Sequence, residues 1–291
     1  MIVRIAAVQY LLRQIEDWGA FENQVRFIMK AAGDYKPNFV LLPEIFTTQL
    51  LSFMDTSDVR AAVRNMNEYT QRYKDLMLEL ARQWDVHLIG GSHPTLHDDG
   101  RLLNTAYYFT PRGNIYEQDK LHRTRWEREK WNTDAGTQLH LFETPYGKIA
   151  ILVCYDIEFP ELARMACEAG ADILMVPSCT DDRQGFLRVR YCCHARAIEN
   201  QVYVVMTSTV GNLPVEGLGL NYGQASIITP SDFSFARDGI AAEGTPNIEQ
   251  IIVADVDLDD LVRNRENGTT IPLYDKRKDI YENPVEIVAV K

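Results

Sequence analysis

The sequence predicts a mixed α/β sandwich, built as one domain over residues 1–291. Apolar, β-branched runs alternate with longer amphipathic stretches along the chain, which is typical of strands that alternate with helices. A turn at residues 111–114 separates two of the strand-like runs, so part of the sheet is predicted to be antiparallel. No internal repeat, low-complexity tract or linker interrupts the alternation, which favours a single domain.

The elements of the first half follow from the length and periodicity of the apolar runs. Short runs rich in Val, Ile and Leu are interpreted as strands, and longer runs with apolar residues every three or four positions are interpreted as helices. The predicted order is a strand at 2–9, a helix at 15–32, a strand at 39–42, a helix at 55–83, a strand at 86–90 and hairpin strands at 104–110 and 115–118.

The second half repeats the alternation. Its predicted elements are a strand at 148–154, a helix at 159–169, a strand at 172–176, a helix at 186–200, a strand at 202–207, a hairpin at 221–229 and 233–237, and a strand at 250–256. Pro160 suits the first turn of its helix and Gly170 suits the position just past the end. Cys154 is therefore predicted to lie at a strand-to-helix turn, while residues 265–291 are interpreted as a surface extension or subunit contact.

Composition and charge exclude several classes of protein. The formal net charge is −11 and the pI is near 5.1, which disfavours nucleic-acid binding, because that requires clustered Lys and Arg on phosphates. The basic stretch at 122–130 is interrupted by Glu127 and Glu129 and is interpreted as a loop. No window approaches the roughly 20 apolar residues of a membrane helix. We expect a soluble, cytoplasmic protein without a membrane partner.

The cysteines and histidines do not indicate a metal site. The five cysteines lack the C-x-x-C spacing of zinc ligands, so free thiols in a reducing compartment are expected. His93 and His97 precede two aspartates in a segment that is interpreted as a solvated loop. The chemistry described below requires no metal and no organic cofactor.

Cys154 is the first candidate for a catalytic group. A buried strand ends at this cysteine, and the backbone N–H of Tyr155 is predicted to point to the place where an oxyanion would form. The segment alone leaves a second interpretation open, in which Cys154 is only the last buried residue of its strand. Cys179 also ends a buried strand and is the rival thiol.

Glu44 and Lys120 are the second and third candidates. Glu44 ends a buried strand, where a carboxylate either caps the next segment or lies in a cleft at the edge of the sheet. Lys120 closes a hairpin strand, and a single lysine there is usually a solvated charge. Each residue alone is weak evidence, so the prediction depends on their combination.

The combination resembles the nitrilase, or carbon-nitrogen hydrolase, superfamily over essentially the whole chain. The most specific stretch is residues 154–161, with the sequence Cys-Tyr-Asp-Ile-Glu-Phe-Pro-Glu. Further matching stretches are residues 5–9, 42–44 and 120–122, supported by 90–92, 104–106 and 196–200. The resemblance implies an αββα sandwich that pairs with a second copy into a four-layer assembly, so a homodimer or higher homo-oligomer is expected.

The resemblance also implies a Glu-Lys-Cys triad. Glu44 takes the place of the general base, Lys120 that of the cationic stabiliser and Cys154 that of the nucleophile. The family often has a second glutamate a few residues before a Pro-Gly pair. Here that pair is Ala135-Gly136, and counting back assigns Glu129 to the role, with Glu127 as a competitor.

The expected activity is hydrolysis of a non-peptide C–N bond in a small amide or carbamoyl compound, with water as co-substrate and a thioester on Cys154. Nitrile hydrolysis and amine-dependent acyl transfer are the enzymatic alternatives, and an interaction module would predict a degraded triad. The side chains nominated for the pocket are Phe46, Thr47, Asn104, Trp126, Asp156, Ser178, Thr180 and Arg183.

The substrate class stays open at this level. Carbamoyl-D-amino-acid hydrolases of the family carry arginines shortly after the nucleophile, where this chain has Asp156, Ile157 and Glu158. That departure disfavours their substrates. An acidic neighbourhood favours an amine-bearing compound, whereas Arg125 or Arg183 would suit a carboxylate, as in ω-amidases.

Overall fold

The computed structural model describes residues 1–281 and 283–289. The strands are β1 (Ile2–Leu12), β2 (Phe39–Leu41), β3 (His87–Leu96), β4 (Leu102–Phe109), β5 (Ile115–Asp119), β6 (Leu141–Thr144), β7 (Gly147–Ile151), β8 (Ile173–Ser178), β9 (Tyr203–Gly211), β10 (Ser226–Ile228), β11 (Ile240–Glu243) and β12 (Gln250–Asp257). The helices are α1 (Trp18–Gly33), α2 (Val59–Asn65), α3 (Thr70–Trp84), α4 (Pro160–Glu168), α5 (Arg183–Asn200), α6 (Leu258–Asn267), α7 (Pro272–Asp275) and α8 (Lys278–Tyr281).

Strand β1 joins two halves of the sheet. In one half the hydrogen-bonded order is β12-β1-β2-β3-β4-β5, and in the other it is β6-β7-β8-β9-β10-β11. Residues 5–7 of β1 pair in parallel with β2, and residues 9–12 pair in parallel with β9. One long strand thus belongs to both halves, and the catalytic candidates come from strands on both sides of it.

The two faces of β1 pack in different layers. Val3 and Ile5 lie in a buried cluster with residues of β7 and β8, whereas Val8 and Tyr10 lie in a cluster with α1 and α3. Side chains alternate between the two faces of a strand, so a central strand that is apolar on both faces needs a layer on each side. The predicted αββα sandwich is confirmed.

The predicted helix at 55–83 is wrong in its continuity. The structure has α2, a 3-10 turn at Met66–Tyr69 and then α3. The Asn67 carboxamide oxygen accepts hydrogen bonds from the Leu96 N–H, 3.3 Å away, and the Thr70 hydroxyl, also 3.3 Å away. Such side-chain hydrogen bonds compete with the regular helix, and they tie this turn to the end of β3.

The predicted strand at 233–237 is also wrong. Phe233 is exposed in a turn, and the strand that pairs with β10 is β11. The Asp232 carboxylate accepts hydrogen bonds from the N–H of Phe233, at 2.7 Å, and from the N–H of Thr269, at 2.9 Å, so the turn is held against the end of α6. Gly239, at φ +71°, allows the chain to enter β11 later than predicted.

His93 lies in strand β3 and not in a solvated loop. Its side chain is fully buried, with Nδ1 2.9 Å from the Thr47 hydroxyl and Nε2 2.9 Å from the Thr70 hydroxyl. Burial lowers the pKa of His93 to about 3. The sequence-based interpretation failed because β3 continues six residues beyond the predicted end.

The terminal region carries short helices on the surface. Arg265, in α6, donates hydrogen bonds to the carbonyl oxygens of Ala171 and Gln201 at 3.0 and 3.1 Å, which ties this helix to the second half of the sheet. Beyond α8, Val285 and Ile287 are exposed. Across residues 1–281 and 283–289, no helix combines the length and the apolar character that crossing a membrane requires.

Candidate active site

Three candidate residues meet because each lies just past the end of a strand. Glu44 comes after β2, Lys120 after β5 and Cys154 after β7. Cys179 follows β8, which is the parallel neighbour of β7. All four residues line one cavity of about 660 Å³. The structure thus brings the predicted triad together at the ends of strands from both halves of the sheet.

The backbone is strained at the nucleophile candidate. Cys154 has φ +48° and begins a 3-10 turn that leads into α4. A non-glycine residue in this left-handed region costs on the order of 1–3 kcal/mol, which the surrounding fold must offset. Among the described residues the Tyr155 N–H has no hydrogen-bond partner. That N–H is therefore available to an oxyanion, as the sequence predicts.

A second strained position supports Glu44. Ile45 has φ +41°, an outlier for a β-branched residue, and its N–H donates to the Ser92 hydroxyl at 3.0 Å. Gly91 approaches so closely that a Cβ there would lie 2.1 Å from the Pro43 carbonyl oxygen. The backbone around Glu44 is thus fixed by contacts with Ser92 and Gly91 of β3.

Lys120 lies between two buried carboxylates. Its Nζ is 2.8 Å from Glu44 Oε1 and 2.8 Å from Glu127 Oε2. The Asn104 amide bridges the same pair, with Nδ2 2.9 Å from Glu44 Oε1 and 3.0 Å from Glu127 Oε1. All four side chains are buried. Two of the three ammonium hydrogens are engaged, so one remains for a substrate oxygen.

Burial and charge set the protonation of this group. Burial raises the pKa of Glu44, and the Lys120 charge offsets only part of that rise. For Lys120, burial acts to lower the pKa, but the charges of Glu127 and Glu44 outweigh it and raise the pKa well above its usual value. For Glu127, burial acts to raise the pKa, but Lys120 and hydrogen bonds lower it. Glu44 is therefore the carboxylate that takes up a proton more readily.

The Cys154 thiol is neutral at rest. Burial, together with the charge of Glu44, raises its pKa well above the usual value. Its Sγ lies 3.7 Å from the Cys179 carbonyl oxygen. Glu44 Oε1 already accepts two hydrogen bonds, whereas Oε2 accepts one, from the Cys179 N–H at 3.0 Å. Oε2 is the oxygen with capacity to receive the thiol proton.

The assignment of Glu129 requires a correction. Its carboxylate is exposed and pairs with Arg125 at 2.8 Å, whereas Glu127 contacts Lys120. Residues two apart on a helical turn point in different directions, so only one of the pair can face the lysine. Both glutamates lie in a π-helical turn at Glu127–Trp131, and counting residues along the sequence cannot predict this turn. In the proposal below, Glu127 therefore takes the role of the family's second glutamate.

Thr124 was missed, although the sequence carries a signal for it. Its N–H and hydroxyl donate to Glu127 Oε2 at 2.8 and 2.9 Å. The spacing Thr-x-x-Glu is the pattern of a capping box, in which both residues satisfy each other's polar groups. Applied to residues 124–127, that pattern would have selected Glu127 over Glu129.

The nominated pocket residues divide into two groups. Trp126 lines the main cavity, and Thr180 lines an adjoining cavity. The others are placed elsewhere. Phe46 and Ser178 are fully buried, Thr47 contacts His93, Asn104 bridges the carboxylates, Asp156 accepts the N–H groups of Leu121 and His122, and Arg183 is exposed in the first turn of α5. Residues 217–221, which form one wall of the main cavity, were not predicted.

Glu127→Gln is expected to lower kcat/KM by about 10²-fold or more, because it removes the charge that keeps Lys120 protonated and fixed. Glu129→Gln is the matched control, since it makes the same chemical change two residues away on an exposed side chain. We expect its kcat/KM to stay within about twofold of the unmodified chain. Steady-state kinetics on both variants checks this, and equal losses would contradict it.

The family model described as carbon-nitrogen hydrolase matches residues 4–266. The chain is 50% identical over 280 residues to "Probable hydrolase YhcX" of Bacillus subtilis (strain 168), which covers 96% of this chain and 54% of that protein. It thus spans about half the length of that relative.

Two further proteins match nearly end to end. The chain is 28% identical to "Omega-amidase NIT2" of Xenopus tropicalis, with 96% of each covered. The crystal structure of Saccharomyces cerevisiae Nit3, a member of branch 10 of the nitrilase superfamily, superposes with a TM-score of 0.78 at 27% identity, covering 95% of this chain and 97% of that one.

Proposed function

This chain belongs to the carbon-nitrogen hydrolase family, and we propose that it hydrolyses the C–N bond of a small amide or carbamoyl compound through a thioester on Cys154. The observation that carries the proposal is the buried cluster of Glu44, Lys120 and Glu127 beside the Cys154 thiol at one cavity. These groups place a base, a cation and a thiol at one cavity. A reaction that moves a proton and develops negative charge uses such a set of groups.

Acylation is the first half of the proposed reaction. Glu44 Oε2 accepts the thiol proton as Sγ attacks the carbonyl carbon, and the carbonyl oxygen becomes an oxyanion. The free hydrogen of the Lys120 ammonium and the Tyr155 N–H stabilise that charge. The protonated Glu44 then gives its proton to the leaving nitrogen, the C–N bond breaks, and ammonia or an amine departs.

Deacylation uses the same groups with water in place of the amine. Glu44 accepts a proton from the water molecule as its oxygen attacks the thioester carbon. Lys120 and the Tyr155 N–H again stabilise the oxyanion. The C–S bond breaks, Glu44 returns its proton to Cys154, and the acid is released. Lys120 keeps its charge throughout, in agreement with its raised pKa.

The direct test is ammonia release from a panel of ω-amides, carbamoyl amines, aliphatic amides and nitriles. Release from an amide or carbamoyl compound, absent in Cys154→Ala, is expected. Intact-protein mass spectrometry during turnover should show an added acyl group, and digestion of the quenched protein should locate it on the peptide that contains Cys154. Turnover of the panel without any such adduct, or with full activity in the alanine variant, would refute the thioester route.

The pH profile of kcat/KM follows from the state of Glu44. The free enzyme needs ionised Glu44 to accept the thiol proton, and burial raises the pKa of this group above the ordinary 4.5. Activity should therefore fall as the pH is lowered, with a midpoint above 4.5. Glu127 stays ionised in this range because its pKa is lowered. A midpoint at or below the ordinary glutamate value would contradict the assignment of Glu44 as base.

We also propose that two copies pair through the outer face of α4 and α5, as a homodimer or within a higher homo-oligomer. Large apolar side chains stay exposed on this face, with Met165 on α4 and Tyr191 and Ile198 on α5. Clustered exposed apolar residues are typical of subunit interfaces. Analytical ultracentrifugation should give at least twice the 33.3 kDa chain mass. A monomer at micromolar concentration would count against pairing.

The expected compartment is reducing, such as the cytoplasm. The proposed nucleophile must remain a free thiol, because oxidation of Cys154 would remove the attacking sulfur. Cys154 and the other four cysteines are free in the structure. Fractionation of cells that express the protein, followed by detection in the cytosolic or extracellular fraction, tests this expectation.

A further inference from the structure

A second cavity of about 350 Å³ adjoins the main cavity at the nucleophile. The two cavities share Cys154 and Cys179 in their walls. Beyond the nucleophile, the second cavity is lined by Glu158, Asp181 and Arg188 among others. A substrate whose carbonyl lies at Cys154 can therefore extend its other end into this second space.

The two cavities carry an excess of negative charge. Their walls contain five carboxylates and three cationic side chains. These are Glu44, Glu127, Glu158, Asp181 and Asp182 against Lys120, Arg125 and Arg188. Asp181, Asp182, Arg125 and Arg188 are exposed, so water and salt screen their charges. The less exposed charges are Glu44, Glu127 and Glu158 against Lys120, and this excess of carboxylates attracts cations to the cavities.

The two arginines offer little to a carboxylate ligand. Arg125 already pairs with Glu129 at 2.8 Å, and its side chain is 81% exposed. Arg188 is 66% exposed, and its Nε is 3.9 Å from Glu158 Oε2. Exposed cations are screened by water and salt and contribute little to binding.

Glu158 is the mostly buried carboxylate in the wall of the second cavity. Its side chain is only 19% exposed, and the 3.9 Å separation from Arg188 is too long for a hydrogen bond. Among the described residues, no donor makes a hydrogen bond to this carboxylate. Its oxygens face the cavity and are not among the fully buried polar atoms, so a ligand ammonium can reach them and supply the hydrogen-bond donor that the described residues do not.

The geometry fits a short linear substrate. Cys154 and Glu158 begin and end one 3-10 turn, and its rise of about 2 Å per residue separates their Cα atoms by roughly 8 Å. A spacer of four methylenes spans such a distance. On the other side of the nucleophile, Trp126, Trp131 and Leu218 form an apolar wall.

We propose that the substrate of this site is a linear amide or carbamoyl compound with a protonated amine at its far end, and that Glu158 binds this ammonium, with a smaller contribution from the exposed Asp181. The inference rests on the proposed function, because it places the scissile carbonyl at Cys154. It makes Glu158 a specificity-determining residue.

The test compares three amides with the same four-methylene spacer. These are 5-aminopentanamide, which is cationic, hexanamide, which is neutral, and adipamate, which is anionic. The unmodified chain should show a kcat/KM for 5-aminopentanamide about 10-fold above hexanamide and further above adipamate. Glu158→Gln should lower the cationic-to-neutral ratio of kcat/KM by about 10-fold, and Asp181→Asn should lower it by a smaller factor.

Glu161→Gln is the matched control, because Glu161 is exposed in the first turn of α4 and does not line either cavity. Its ratio should equal that of the unmodified chain. Preference for adipamate, or equal ratios in Glu158→Gln and Glu161→Gln, would overturn the inference while hexanamide hydrolysis still supported the proposed function. Lack of turnover of all three amides by the unmodified chain would count against both.

Discussion

Cys154→Ala is expected to lower kcat/KM for amide hydrolysis by about 10⁴-fold or more, because it removes the thiol assigned as the nucleophile. The fold should survive the change. The hydrogen bond from the thiol to the Cys179 carbonyl oxygen is long, at 3.7 Å, and alanine has the same Cβ as cysteine at the left-handed backbone of residue 154. Stopped assays of ammonia release, together with thermal unfolding, measure both properties.

Cys179→Ala tests which of the two thiols in the cavity is the nucleophile. Cys179 lies in the same cavity, and burial raises the pKa of its thiol to about 12. Its contribution to the site is the backbone N–H that holds Glu44, which alanine retains. We expect kcat/KM to stay within about 10-fold of the unmodified chain. Loss of activity in Cys179→Ala with retention in Cys154→Ala would reverse the assignment.

Lys120→Met is expected to have the largest effect on stability. It leaves Glu44 and Glu127 buried together without the cation that lies 2.8 Å from each. Removing one partner of a buried ionic network costs about 3–5 kcal/mol of unfolding free energy. Hydrolysis should also be lost, since the oxyanion loses its cation. Denaturant unfolding and ammonia release measure the two effects.

The stability loss in Lys120→Met should depend on pH. Without the lysine, burial and mutual repulsion hold the pKa values of both carboxyls above those of the unfolded chain, so the penalty is full at high pH. It diminishes as the pH falls and the folded state takes up protons. Lys148→Met, which removes an exposed ion pair with Glu143, is the control and should change stability by no more than about 0.5 kcal/mol. Equal losses in both variants, or a penalty that grew on acidification, would contradict the buried network.

The local pattern of apolar residues and helix-terminus signals was sufficient to predict much of the fold. The strands that precede Glu44 and Cys154 are short apolar runs, and the helix after Cys154 begins at Pro160 as its terminus signals indicate. The breaks at Asn67 and Asp232 were not predictable in this way. Each depends on a side chain that bonds to a residue about 30 positions away or further, at Leu96 and Thr269.

By itself, the sequence determined the alternation of elements, the family, and the three strand ends that carry Glu44, Lys120 and Cys154. Only the tertiary structure decided which glutamate faces the lysine, because a π-helical turn directs Glu127 inward and Glu129 to solvent. It also decided that Glu158 lies in a cavity wall without a donor. The physical reason is the same in both cases: the direction and burial of a charged side chain depend on contacts between distant segments, which spacing along the chain does not encode.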